Sequence, residues 1–290
     1  MRLDDLDPSS NVRDLGEGGG GGGGLNLLGF LPLLLGRGLG CGTIGILAIV
    51  AVAFLMFSGG GGLVSGGGQA PTAQQGSAQG NVPCDTAEEL FACRVLASTE
   101  QVWGQIFRQQ GQQYPAPTLN FFRRGAQSGC GAAQSAMGPF YCPPDRGVYL
   151  DTSFFRELSQ RFGAGGDFAQ AYVVAHEVGH HIQNLTGQAE AVSRAQQTLP
   201  TAQGNAQSVR LELQADCYAG VWGKRSGRME SGDLEEGLKA AEAIGDDTLQ
   251  GSNASPESFT HGTSAQRRYW LNRGYQTGDP AQCDTFSGQI

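Results

Sequence analysis

Histidine is scarce, with four residues in a chain of 290. Basic residues are few as well: 19 Lys and Arg stand against 27 Asp and Glu, a formal net charge of −8, and they form no basic block. Nucleic-acid binding needs a basic patch or stripe, so the composition argues against a nucleic-acid partner. The chain also lacks an internal repeat of the kind that marks solenoids and propellers.

What abounds is glycine, 47 residues, much of it in the first 70 positions in runs such as Gly18 to Gly24 and Gly59 to Gly62. Polyglycine has no side chains to bury and cannot offset its ordering entropy. Residues 1–24 therefore read as a disordered Gly-rich arm and residues 58–82 as a flexible linker. Residues 25–57 between them read as a membrane segment. Its span is about 41–57, CGTIGILAIVAVAFLMF, an uncharged run at the lower limit for a spanning helix. A cleaved signal peptide fits poorly, because the run begins so far into the chain. A buried core helix also fits poorly between Gly-rich flanks. Arg2, Arg13 and Arg37 precede the span, and the nearest basic residue after it is Arg94. That bias orients a single-pass protein of the cytoplasmic membrane with its N-terminus inside and its C-terminal domain outside, periplasmic or extracellular.

The cysteines agree with that placement. Cys84, Cys93, Cys130, Cys142, Cys217 and Cys283 lie beyond the span, an even number that suits disulfides in an oxidising compartment. Local spacing suggests Cys130 with Cys142 as a loop staple. Sequence does not choose among the remaining connectivities, and six reduced, buried thiols are the alternative.

The folded domain is then 83–290, large enough for one core. Asp85, with Glu88 three residues on, predicts a helix to about Gln110, stopped by Gly111. Residues 111–150, rich in Pro, Gly and aromatics, read as loops and short strands, with GVYLD (147–151) the best strand. A short helix, SFFRELSQRF, follows. Asp167 predicts the cap of the next helix, which ends near Gly187. Further helices are expected at about 206–222, 233–244 and 264–273, the last capped by Thr263 with Gln266. The fold class is α+β, mainly helical, with a small sheet.

Three of the four histidines fall in AYVVAHEVGHHIQNLTG, residues 171–187. His176 and His180 are four apart, so on a helix they share one face and can bind one zinc ion together. Glu177 is rotated about 100° from His176, beside the metal rather than on it. A carboxylate there can take a proton from water that the metal activates. The alternative is a helix with satisfied core histidines. His181, on another face, is not expected to be a ligand.

A catalytic zinc needs a third protein ligand and an open position. The pattern His-Glu-x-x-His-x-x-Gly-x-x-His would supply a third His, but Gln183 stands where it needs Gly and Thr186 where it needs His. LELQADCYAG, residues 211–220, offers a carboxylate instead. Glu212 and Asp216 share one helix face among apolar neighbours, so Glu212 can bind the metal and Asp216 can fix a ligand imidazole through its other N–H. A solvated acidic face is the competing reading.

The chain resembles the bacterial neutral zinc metallopeptidase family of single-pass membrane proteins. The likeness covers the Gly-rich arm and span, CGAAQSAMGPFYCPPDRGVYLD (130–151), AHEVGHHIQ (175–183), ELQADCYAGVW (212–222) and THGTSAQRRYW (260–270). HEVGH and the Glu212–Asp216 pairing also resemble the wider gluzincin clan. That resemblance implies a helix-rich fold with a small sheet whose edge strand binds substrate backbone. It implies His176, His180 and Glu212 as ligands, Glu177 as base, and a peptide or protein substrate. In gluzincin-type sites a His or Tyr from the C-terminal part steadies the tetrahedral intermediate; His261 fits by type and position, with an exposed loop His as the alternative. Tyr149 and GVYLD are the candidate substrate edge, with plain core strand as the alternative. The expected function is a membrane-anchored zinc peptidase; the rival from another class is a non-catalytic envelope binding module with a structural zinc.

Overall fold

A computed structural model of the chain describes residues 1–17, 83–251, 255–288 and 290. The expected membrane segment 25–57, its span 41–57 and the linker 58–82 lie outside the described residues. Among the described residues no helix is long and apolar enough to cross a membrane. The architecture is mainly helical with a small mixed sheet, as expected.

Helix α1 (Ala87–Gln109) starts one residue later than its sequence signal. Thr86, not Asp85, is the cap, and Glu89 completes the capping box. Its inward face, including Val95, Leu96, Val102 and Trp103, enters the main core. The chain then forms the expected short strands. Strands β1 (Val12–Glu17), β2 (Thr118–Arg123), β5 (Phe140–Cys142) and β6 (Gly147–Leu150) make one sheet in the order β1-β2-β6-β5. The β1–β2 and β2–β6 pairs are parallel and β5–β6 is antiparallel. Strands β3 (Gly125–Ser128) and β4 (Gly131–Gln134) form a separate hairpin. The Cys130–Cys142 disulfide staples that hairpin's turn to β5. Residues 119–122 of β2 are buried without alternation, the pattern of a strand covered on both faces.

Seven helices complete the domain: α2 (Ser153–Phe162), α3 (Asp167–Leu185), α4 (Gln188–Thr198), α5 (Thr201–Ser226), α6 (Asp233–Ala243), α7 (Asp246–Gln250) and α8 (Ser264–Thr277). α3 is apolar on nearly every side, with Ala169, Tyr172, Val174, Ala175, Val178 and Ile182 all buried, so it runs through the middle of the core. α5 and α8 pack backbone to backbone: a Cβ on Gly274 would run into the Cys217 carbonyl, and one on Gly220 into that of Leu271. Cys217 also bonds Cys283, fastening the C-terminal tail to α5, and Cys84 bonds Cys93 at the start of α1. All six cysteines expected to be oxidised are thus paired.

Residues 1–17 correct the disordered arm expected over 1–24. Met1, Leu3 and Leu6 are buried in the main core, and β1 completes the sheet. The Met1 ammonium donates to Asp167 at 2.6 Å and Asp233 at 3.3 Å, and pairs with Glu230 at 3.1 Å. Burial opposes its charge, but these carboxylates outweigh burial and raise its pKa from 8.0 to about 10. Asp167 therefore does not cap α3; Gly166 holds that position and the Asp167 carboxylate serves the ammonium. The arm escaped notice because three apolar side chains carry little weight beside the polyglycine, and a strand edge is defined by a partner, β2, far along the chain. Leu3→Ala should cost about 2–5 kcal/mol of unfolding free energy, the usual range for a buried Leu. Denaturant melts of the two proteins check this; a loose arm would give no difference.

Candidate metal centre

α3 carries His176 and His180 on one face, their ring centroids 4.8 Å apart. Gly179 lies between them, where α5 crosses. A Cβ there would sit 3.0 Å from the Ala215 Cα and carbonyl oxygen, so a larger residue would push α5 away. That close crossing delivers Glu212. Its Oε2 lies 3.1 Å from His176 Nε2 and its Oε1 3.3 Å from His180 Nε2. One donor atom from each of His176, His180 and Glu212 lies within 4.8 Å of the others.

The outer nitrogen of each ring is already engaged. His176 Nδ1 bonds Asp216 Oδ1 at 2.8 Å, and His180 Nδ1 bonds Gln183 Oε1 at 2.8 Å. Both Nε2 atoms are thereby turned toward Glu212, the orientation a metal requires. The electrostatics point the same way. Burial works against protonation of His176, but Asp216 and then Glu212 raise its pKa from 6.5 to about 10. His180 is raised by Glu212 against its own burial. Burial opposes the charge of Glu212, yet His180 and hydrogen bonds from both imidazoles hold its carboxyl well below the ordinary range. Two imidazoles with one carboxylate form a donor set suited to a catalytic zinc.

Glu177 is 8 % exposed and faces the same cleft. Burial pushes its carboxyl above the ordinary range, with His180 pulling the other way. The cleft, about 420 Å³, is also lined by Met137, Phe140, Tyr141, Phe154, Val173 and Leu249, a largely apolar wall. His261 lines it too, with its side chain 37 % exposed, its Nδ1 3.4 Å from Asp246 Oδ1 and its backbone N–H donating to Asp246 Oδ2 at 2.6 Å. It is a cleft residue rather than a free loop residue.

Two residues behind His176 were not anticipated. Arg267, buried on α8, donates to both oxygens of Asp216 at 2.9 Å and to the Tyr172 hydroxyl at 3.1 Å. Tyr172 in turn donates to Asp216 Oδ1 at 2.5 Å. Tyr172 had a readable signal, since it lies four residues before His176 and shares its face. Arg267 had none, because its helix reaches Asp216 only through the α5–α8 contact.

His181 is fully buried away from the cluster. It bonds the Tyr141 hydroxyl at 2.9 Å and the Pro115 carbonyl at 2.7 Å, and burial lowers its pKa to about 4. It therefore anchors β5 beside α3. The expected substrate edge at GVYLD is corrected likewise: β6 is internal, and Tyr149 stacks on Phe140 and donates to Asp145 at 2.7 Å. The strand at the sheet's edge by the cleft is β5.

Over 226 residues the chain is 51% identical to the uncharacterized Escherichia coli (strain K12) protein YpfJ, covering 76% of this chain and 79% of that one. Over 221 residues it is 44% identical to an uncharacterized protein of Mycobacterium tuberculosis (strain ATCC 25618 / H37Rv), covering 69% and 72%. No solved structure matches it. A family model described as "Putative neutral zinc metallopeptidase" matches residues 1–286, and the chain belongs to that family.

Proposed function

We propose that this protein is a zinc-dependent peptidase that hydrolyses peptide bonds of a peptide or protein substrate outside the cytoplasmic membrane. The observation that carries the reading is the convergence of His176, His180 and Glu212 in one cleft with Glu177. These three side chains would hold the zinc, and Asp216 would orient His176 by accepting from its Nδ1–H. Bound zinc supplies a Lewis acid that polarises the scissile carbonyl and acidifies water. Glu177 takes the proton of the attacking water and returns it to the leaving amine. His261, steadied by Asp246, stabilises the charge that develops on the carbonyl oxygen. The open edge of β5 pairs with the extended substrate backbone, and the apolar wall receives its side chains.

A structural brace would close the metal with four protein donors. Among the described residues only three converge there, and His261 is not one of them. That leaves a position for solvent or substrate. The extracytoplasmic placement is supported by the three disulfides, which persist in an oxidising compartment. Membrane attachment through the apolar run 41–57 belongs to the same proposal.

The purified full chain should carry one zinc per molecule, read by atomic absorption, and His180→Ala should lose it with the fold retained. A folded wild-type chain that stays metal-free after zinc incubation and dialysis would remove the proposal.

A further inference from the structure

The N-terminal segment is joined to the domain along its whole described length. Met1, Leu3 and Leu6 fill the main core. Asp4 pairs with Arg94 at 3.1 Å, and the Arg94 guanidinium also donates to the Leu6 carbonyl at 3.1 Å. The Ser9 hydroxyl and the Asn11 amide both donate to Glu100 at 2.8 Å. Strand β1 then runs parallel to β2, with Val12 beside Leu119 and Asp14 beside Phe121. Asp14 takes a 3.2 Å ion pair from Arg123, which also holds Glu89 of α1 at 3.0 Å.

Neighbouring strands lie about 4.8 Å apart, whereas a bilayer's hydrocarbon core is about 30 Å thick. Residues 1–17 and the domain from residue 83 onward cannot pair in this way from opposite faces. The charge bias that suggested a cytoplasmic N-terminus also changes meaning. Arg2 donates its backbone N–H to the Arg228 carbonyl at 2.9 Å, and Arg13 lies within β1. Both belong to the folded domain, so neither is a free flanking charge of the kind that sets orientation.

We infer that the N-terminal segment shares one compartment with the zinc domain, on the same side of any bilayer. Which compartment that is rests on the extracytoplasmic reading above; the shared side rests on the packing alone. The N-terminus is then exported with the domain, and its strand is a permanent part of the peptidase rather than a cytoplasmic arm.

Thiol labelling of the full chain in its native membrane tests this. A Cys41→Ser background removes the one cysteine outside the three disulfides. Ser10→Cys and Gln203→Cys, made singly, place reporters at exposed positions of the N-terminal segment and of α5. A membrane-impermeant maleimide is applied to intact spheroplasts, and again after detergent lysis, which sets full reactivity for each position. The expected result is that both variants reach their lysed level in intact spheroplasts. Labelling of Gln203→Cys alone in intact spheroplasts would overturn the inference. Labelling of both only after lysis would support the shared side and overturn the extracytoplasmic placement instead.

Discussion

Glu177→Gln should lower kcat by about 10²–10⁴-fold while leaving the zinc content and the thermal midpoint near their wild-type values. The amide keeps the shape of the carboxylate but cannot accept the proton from water or return it to the leaving amine. Glu177 is not among the three converging donors, so the metal is not expected to leave with its charge. Gln matches its size in a buried position, so the replacement is expected to cost the fold little. Three measurements separate the readings: turnover of an unstructured peptide, bound zinc, and the melting curve. Retained turnover with zinc bound would remove Glu177 from the chemistry. Loss of turnover together with zinc would make it a ligand instead of a base.

The second large effect is expected behind the proposed metal site. Asp216→Ala should destabilise the fold by about 3–5 kcal/mol, because it leaves the buried Arg267 guanidinium without its hydrogen-bonded counter-charge, with only Glu212 at 3.9 Å remaining. It should also weaken zinc binding by about 10–100-fold, since His176 Nδ1 loses the acceptor that orients its ring. The two losses have different owners and can be separated. Adding Arg267→Met removes the orphaned charge, so the double variant should recover much of the stability while the zinc deficit persists. Denaturant melts and zinc titrations of the single and double variants measure both. Recovery of zinc affinity along with stability would mean that Asp216 acts only through the fold.

The parts of the centre that share a helix were open to inspection in the linear chain. His176 with His180, and Glu212 with Asp216, are four-residue spacings, and a helix converts that spacing into a common face whatever surrounds it. The caps and glycines placed most helices to within a few residues, with Thr263 and Gln266 matching in detail. The errors fell where an outcome depended on a distant partner. Asp167 has the composition of a cap but serves the Met1 ammonium. GVYLD is a strand, yet whether it lies at an edge depends on β5 pairing beside it.

The amino-acid sequence by itself determined the two-histidine face of α3, the carboxylate pair of α5 and the helix-rich class, because helical periodicity is local and needs no partner. Tertiary structure alone decided that Arg267 backs Asp216, that β5 borders the cleft, and that residues 1–17 belong to the domain. Each of those is a contact between segments remote in the chain, brought together by apolar burial and close backbone crossings such as Gly179 on Ala215. Such contacts leave no period in the sequence from which to read them.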